Sequence, residues 1–321
     1  MIKRTWTAAV VVIAALLCGA PIAHARYPER LIRLIVPVPA GGLIDGVARV
    51  LQPALQEELG QTVIIDNRPG ASGTIGTDAV AKAAPDGYTL LVVASSHSVA
   101  AATTPKLPYD AERDLAAVGM LVADPLLFVV SAGVRANTLG EFIALAKADP
   151  GKLTYATPGP ASQSSLVTEL FAQRTGVKML EIPYRGGAPA MLGLVAGDVQ
   201  FGVFSMQLSA PQIESGKIRA LATGGRERAT LMPAIPTLAE AGITGMDATQ
   251  WVGMLAPAQT PPDVIATLNG ALARILDRPE TKAKLATQGL SAARSTPEDF
   301  ARLISAEIKQ WGELAQKTRE R

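Results

Sequence analysis

The sequence predicts an α/β fold in two units, each a mostly parallel sheet flanked by helices. Three observations carry that expectation. Short apolar, β-branched runs alternate with stretches of helical periodicity, which implies crossover connections and parallel strands. The alternation occurs twice along the 321 residues, in units of similar size. With 48% hydrophobic residues the chain can fill two cores, and its length alone favours about two domains.

Residues 1–25 read as a secretory signal peptide. Lys3 and Arg4 give a charged start, an apolar run follows from Trp6 to Leu17, and Ala23-His24-Ala25 supplies small residues for cleavage after Ala25. The run is shorter than the roughly 20 residues of a membrane-spanning helix. The mature chain is therefore expected to be exported and soluble. Cys18, the only cysteine, lies inside this leader behind Leu16-Leu17, a poor context for lipid attachment, so the mature chain has no thiol, disulfide or cysteine-ligated metal. Losing Lys3 and Arg4 brings 30 basic residues down to 28, against 28 acids. A neutral balance gives no general case for nucleic acid or an anionic membrane. His97 is the only mature histidine, which argues against two-histidine metal sites and histidine-based hydrolysis.

In the first unit "LIRLIVPV" (residues 31–38) is an apolar run of the kind buried on both faces of a parallel sheet. After the turn "PAGG", Val47, Val50, Leu51, Ala54, Leu55 and Leu59 recur at helical spacing, and Gly60 stands where a C-terminal cap belongs. "TVIIDN" is the next strand, "GTIGTDAVAKAA" a small-residue helix, Asp86-Gly87 a turn and "YTLLVVAS" a third strand. A looser segment, "TTPKLPYDAERDL", separates the units. The second unit reads as the strand "PLLFVVSAG", a helix opened by the capping box Thr138-x-x-Glu141, the strand "LTYATPG" and a helix from Ser164 to Thr175. Then come "KMLEIPYRGG", a helix around Met191 to Val195, "VQFGVFS" and "KIRALATGG". A Pro-rich stretch, the apolar "WVGMLAPA" and two helical stretches from Pro261 and Pro297 close the chain; "TPPD" and "STPED" are their starts, with proline and acids in the first turn.

The strand ends share a composition. "PAGG", "ASSHS", "TPGPASQSS" and "YRGGAP" are all rich in Gly, Ser or Thr, and each runs toward a helix start. In open α/β sheets ligands bind outside the carboxyl ends of strands, where helix N-termini offer unpaired N–H groups and partial positive charge. Two such units facing each other make a cleft that favours anions. Other chemistries lack their residues: "GGLIDG" has no Gly-Lys-Ser/Thr ending, "GASGTIG" is not a dinucleotide fingerprint, and neither G-x-S-x-G nor H-E-x-x-H occurs. Asp45 reads either as a first-turn acid of its helix or as a contact for a cationic part of a ligand. His97 is either a polar loop residue or a ligand contact, Arg185 either a solvated base or a carboxylate partner, and Trp251 either core packing or a cleft wall.

Taken in order, "YPERLIRLIVPVPAGG", "DNRPGASGTIGTDAVAKAAPDGYTLL", "PKLPYD", "IPYRGGAPAM", "GKIRALA", "IPTLAEAG" and "WVGMLAPAQTPPDVIATLN" resemble the substrate-binding subunits of tripartite tricarboxylate transporters, the Bug or TctC family. The resemblance spans essentially the whole mature chain. It implies a type II periplasmic binding protein, with one lobe at 26–126 plus 251–321 and the other at 127–250. It further implies a monomer, without cofactor, metal or catalysis, that captures a small carboxylate between its lobes for a membrane permease. The ligand contacts it implies are Ala40, Gly41, Gly42, Leu43 and Asp45 after the first strand; Ser95, Ser96 and His97; Ser162, Gln163 and Ser164; Tyr184, Arg185 and Gly186; and Phe204. Three departures from the family pattern exchange polar residues for apolar ones: Leu43-Ile44 where Thr or Ser is usual, Phe204-Ser205 for Asp-Asn, and Pro160-Ala161-Ser162 for Asn-Gly-Thr. They lead to the expectation of a ligand more apolar than citrate, an aromatic or branched monocarboxylate. The competing expectations are a receptor that signals to a membrane sensor and a secreted enzyme acting on small acids.

Overall fold

The computed structural model describes residues 27–159, 162–229 and 231–319. The expected signal peptide and its cleavage site lie outside the described residues, as do Pro160 and Ala161 of the expected ligand loop.

Two sheets organise the chain. The first has six strands in the order β11-β4-β10-β3-β1-β2: β1 (Ile32–Val36), β2 (Val63–Asn67), β3 (Thr89–Ala94), β4 (Leu115–Pro125), β10 (Thr249–Pro257) and β11 (Ser291–Ala292). The second has five in the order β7-β6-β8-β5-β9: β5 (Leu127–Ser131), β6 (Thr154–Thr157), β7 (Leu180–Pro183), β8 (Phe201–Phe204) and β9 (Ile218–Thr223). β1 pairs in parallel with β2 and β3, and β6 with β7 and β8, as crossover connections require. β10 and β5 run antiparallel to their neighbours because they carry the chain between the sheets.

β1 is buried on both faces, as its unbroken apolar run demands. One face packs on α1 (Leu43–Leu59) through Ile44, Val47, Leu51 and Leu55, and on α8 (Pro262–Asp277) through Leu268, Leu272 and Ile275. Gly60 ends α1 in the left-handed conformation, φ 64°. The other face holds Trp251 of β10 against Phe300 of α10 (Pro297–Arg319), ring centroids 4.9 Å apart and nearly perpendicular. Trp251 is therefore core packing, 2% exposed. Beside this face lies α2 (Thr74–Ala81), through Val80, while α3 (Ser96–Thr103) places Val99 in the second-sheet cluster with Trp311 and Leu314 of α10. On the second sheet Phe128 of β5 and Phe201 of β8 pack against Phe142 of α4 (Leu139–Ala148) and Phe171 of α5 (Gln163–Thr175), with ring centroids 4.7 to 6.2 Å apart. Burying rings of this size contributes roughly 1.5–3 kcal/mol each. The opposite face packs on α6 (Gly187–Ala196) and α7 (Met206–Glu214) through Met191, Leu194 and Met206.

The chain crosses between sheets at Leu126 and again over residues 224–248. The crossings are tied to each other: Leu126 N–H donates to Ala248, Gly224 N–H to Leu126 and Ala248 N–H to Gly224, all at 2.8–2.9 Å. A Cβ on Gly224 would stand 2.7 Å from the Ala248 carbonyl oxygen, so only glycine allows this approach. α10 touches both cores. Phe300 and Ile304 lie in the first-sheet cluster, Trp311 and Leu314 in that of the second.

Several elements depart from the sequence reading. β4 covers residues 115–125, a stretch without an expected element, ahead of the strand expected from Pro125, which is β5. α3 and α7 form where loops were expected, and α9 (Pro279–Ala286) makes three C-terminal helices in place of two. The three helices are only eight or nine residues long, so their helical period is faint and tertiary packing decides them.

Candidate functional site

The antiparallel strands fix where the strand-end loops go. Ala94 at the end of β3 pairs with Val252 at the start of β10, and Pro125 at the end of β4 with Thr249. In the second sheet Phe204 at the end of β8 pairs with Leu127 at the start of β5. The carboxyl ends of the parallel strands therefore lie on the edges where the chain crosses, and the Gly/Ser/Thr-rich loops of the two sheets gather around the crossings.

The loop after β1 leaves Ala40, Gly41 and Gly42 exposed. Gly41 has φ 90°, and no side chain caps the α1 N-terminus at Gly42. Asp45 braces this cradle from beneath, only 1% exposed. It accepts from Gly41 N–H at 2.8 Å, Arg49 Nε at 2.7 Å and Asn67 Nδ2 at 3.0 Å. Burial pushes its pKa up, but these hydrogen bonds outweigh that and hold the carboxyl below its ordinary range. Asp45 thus shapes the loop through its own backbone, the first-turn role among the two the sequence allowed. Asn67, which also donates to the Val38 carbonyl at 3.1 Å, completes the brace. Sequence reasoning missed it, although an amide at a strand end beside the loop is the available signal. Leu43 is half-buried and Ile44 7% exposed, both packed into the first core.

After β3, Ser95 is buried and Ser96 exposed. Ser95 Oγ donates to Gln163 Oε1 at 2.5 Å, and Gln163 Nε2 donates to the Thr249 carbonyl at 3.3 Å, so this pair joins the two strand-end edges directly. His97 is stacked on Tyr109, centroids 6.2 Å apart and planes 4° from parallel. Burial lowers its pKa to about 4, and its Nε2 has no partner. The ring is neutral and lies in the packing behind the loop.

In the second sheet Ser162 caps α5 by accepting from Ser165 N–H at 3.2 Å, and Ser164 is buried. Ser165 and Thr157 hydroxyls both donate to Glu181 Oε1, at 2.8 and 2.7 Å. These hydroxyls serve the loop's own shape. The next loop docks on it: Tyr184 N–H donates to Thr157 and Gly186 N–H to Pro158, at 2.9 and 3.1 Å. The Tyr184 ring lies over Gly193 of α6, where a Cβ would collide with its hydroxyl. Arg185 is exposed and makes no ion pair among the described residues. Gly186, φ 114°, precedes α6 without a side-chain cap. Phe204 is 1% exposed and packed in the second core, its ring over Gly202. The structure thus brings the cradle, Ser95, Gln163, Arg185 and Gly186 to the facing edges, while the side chains of His97, Tyr184 and Phe204 are spent on packing.

Two buried acids escaped the sequence reading. Asp124, 2% exposed, is the next-to-last residue of β4 and accepts from Met206 N–H of α7 at 3.4 Å; its Oδ2 has no partner. Burial pushes its pKa up to about 7, and the Met206 bond offsets only part of that. Glu307 of α10 accepts from Trp251 Nε1 at 3.0 and 3.1 Å, and burial likewise takes its pKa to about 7. Among the described residues no three His, Cys, Asp or Glu side chains converge to hold a metal ion. Recesses of about 310 Å³ at Ala132, Ile213 and Arg219, and of about 410 Å³ at Tyr155, Glu169 and Lys178, contain none of the strand-end loop residues.

Residues 47–319 match the family model of the tripartite tricarboxylate transporter family receptor. The chain belongs to this family. Among related chains, protein BugT of Bordetella pertussis is 39% identical to this receptor over 94% of its length and 93% of BugT. A ligand-free TctC solute-binding protein from Polaromonas superposes with a TM-score of 0.84 at 30% identity, covering 91% of this receptor and 99% of that chain. Rpa4515 of R. palustris with adipate superposes with a TM-score of 0.74 at 33% identity, covering 90% and 97%. The receptor has the two-sheet architecture of these periplasmic binding proteins. No helix among its described residues is long and apolar enough to cross a membrane.

Proposed function

We propose that this receptor captures a small carboxylate between the two strand-end edges, without catalysis, and presents it to a membrane permease. The lobes of this reading are residues 26–126 plus 251–321, and 127–250, with α10 packed on both cores. The observation that carries it is the glycine backbone at two uncapped helix N-termini, Gly42 before α1 and Gly186 before α6, at strand ends beside the crossings. Such termini offer unpaired N–H groups and partial positive charge to an anion. The adipate held by Rpa4515, and the family itself, support a carboxylate as that anion. The closer superposition on a ligand-free relative supports an open lobe arrangement here. Ligand that contacts both edges then stabilises a closed state by its differential affinity. A secreted leader at 1–25, periplasmic placement and action as a monomer complete the reading.

The finer expectation of a ligand more apolar than citrate rests on Leu43, half-buried beside the cradle, since Ile44 and Phe204 are buried in the cores. Titration calorimetry of refolded, ligand-stripped protein against citrate, adipate and benzoate tests the function. Saturable binding of at least one is expected, with no chemical change in the ligand recovered afterward. Absence of binding to any carboxylate overturns the reading, and turnover overturns the non-catalytic part.

A further inference from the structure

The helix N-termini at the strand ends are not equivalent. α1, α6 and α7 each begin without a cap from their own side chains. α7 follows β8 on the same edge as the loops after β6 and β7, since β8 pairs in parallel with β6. Ser205 and Gln207 keep part of its first turn at the surface. Yet its first amide is already engaged by a carboxyl from the first sheet. Asp124, the next-to-last residue of β4 and opposite Gln250 of β10, reaches across the crossing to Met206 N–H. Asp124 Oδ2 stays buried without a partner, and so does Ser209 Oγ one turn further along α7. Gly289, on the turn before β11, lies against the Gln207 backbone on the other side.

We propose that Asp124 is a specificity-determining residue: it fills the α7 N-terminus with the protein's own carboxyl and so excludes a ligand carboxylate from that end of the cleft. Three points support it. Asp124 keeps one carboxyl oxygen buried and unbonded, an exception among buried polar groups that calls for a reason beyond structure. A second carboxylate placed beside it would meet a like group in a poorly solvated site, an unfavourable arrangement. At α1 and α6, which also begin without a side-chain cap, glycine backbone and not a side chain comes forward. The ligand class that follows carries its carboxylates toward α1 and α6 and a neutral group toward α7. That describes mono- and dicarboxylates better than a tricarboxylate such as citrate.

This inference rests on the carboxylate-binding reading, and the test separates the two. Wild type, Asp124→Asn and the shorter Asp124→Ser are titrated with citrate, adipate and benzoate, after circular dichroism and thermal melting establish that each is folded. Wild type is expected to bind adipate or benzoate more tightly than citrate. Either variant should improve citrate binding about tenfold, the equivalent of about 1.4 kcal/mol, and change benzoate less than twofold. Citrate and benzoate shifting together, or neither shifting, overturns the role of Asp124 while leaving carboxylate binding intact. Wild type that binds none of the three overturns the underlying reading instead. If Asp124→Asn does not fold, Asp124→Ser decides by the same criteria. If neither folds, Asp124 is a structural requirement and the proposal is overturned.

Discussion

Asp45 and Asp124 are both buried, 1% and 2% exposed, and each carboxyl meets a backbone N–H near a helix start, Asp45 from the first turn of α1 and Asp124 from the end of β4 at α7. They reach opposite electrostatic outcomes. Asp45 has three donors, all from its own lobe, and is held ionised; Asp124 has one long hydrogen bond from across the crossing, and its pKa rises to about 7. Burial penalises the charge in both cases, so the number of donors delivered by the fold decides the sign. One aspartate builds a loop. The other is held in reserve at a boundary between lobes.

The largest effect that sharpens this contrast is expected from Asp45→Ala. It removes the acceptor of Gly41 N–H and Arg49 and leaves Asn67 only its bond to Val38, and should cost about 2 kcal/mol of unfolding free energy by urea titration at pH 7. A loss below about 1 kcal/mol would mean the brace is not a unit. The second effect concerns pH. Asp124 and Glu307 have folded pKa values raised to about 7 from 3.8 and 4.5, so the folded state holds the proton more tightly and stability rises as pH falls through 7. Each should contribute about 1 kcal/mol between pH 8 and pH 6. The double variant Asp124→Asn/Glu307→Gln should lose most of that rise, and an unchanged rise would break the comparison. His97 acts in the opposite sense: its folded pKa of about 4 lies below the ordinary 6.5, so its contribution is full above 6.5 and is lost as pH falls toward 4. The smallest effect is expected from Ser95→Ala, which removes the bond to Gln163 across the edges. Stability should change by less than about 1 kcal/mol, while small-angle scattering of the ligand-free protein should show a wider separation of the lobes.

The legible parts of the sequence were those with local signals. β1, α1 and Gly60 follow from an apolar run, a helical period and a left-handed cap, and Thr138 does accept from Glu141 N–H as a capping box requires. The cradle at 40–45 was visible because glycine composition marks backbone exposure. Asp124 was not, because an acid followed by proline reads as a turn, and only pairing with β10 reveals that β4 continues through it. The Ser95–Gln163 bond joins residues 68 apart and has no local trace. The side-chain directions of Phe204 and Tyr184 depend on which face of the second sheet α6 and α7 cover, information held in packing and not in periodicity.

α10 gives the molecule a rigid rod that begins in one core and ends in the other. Its 23 residues measure about 34 Å at helical rise. A rod anchored at both ends permits the two bodies to swivel but resists their sliding apart, so the trajectory of closure is an arc with a set radius. Pulled from its carboxyl end, such a molecule should surrender the rod first, and the two halves would lose their common axis before either lost its own sheet.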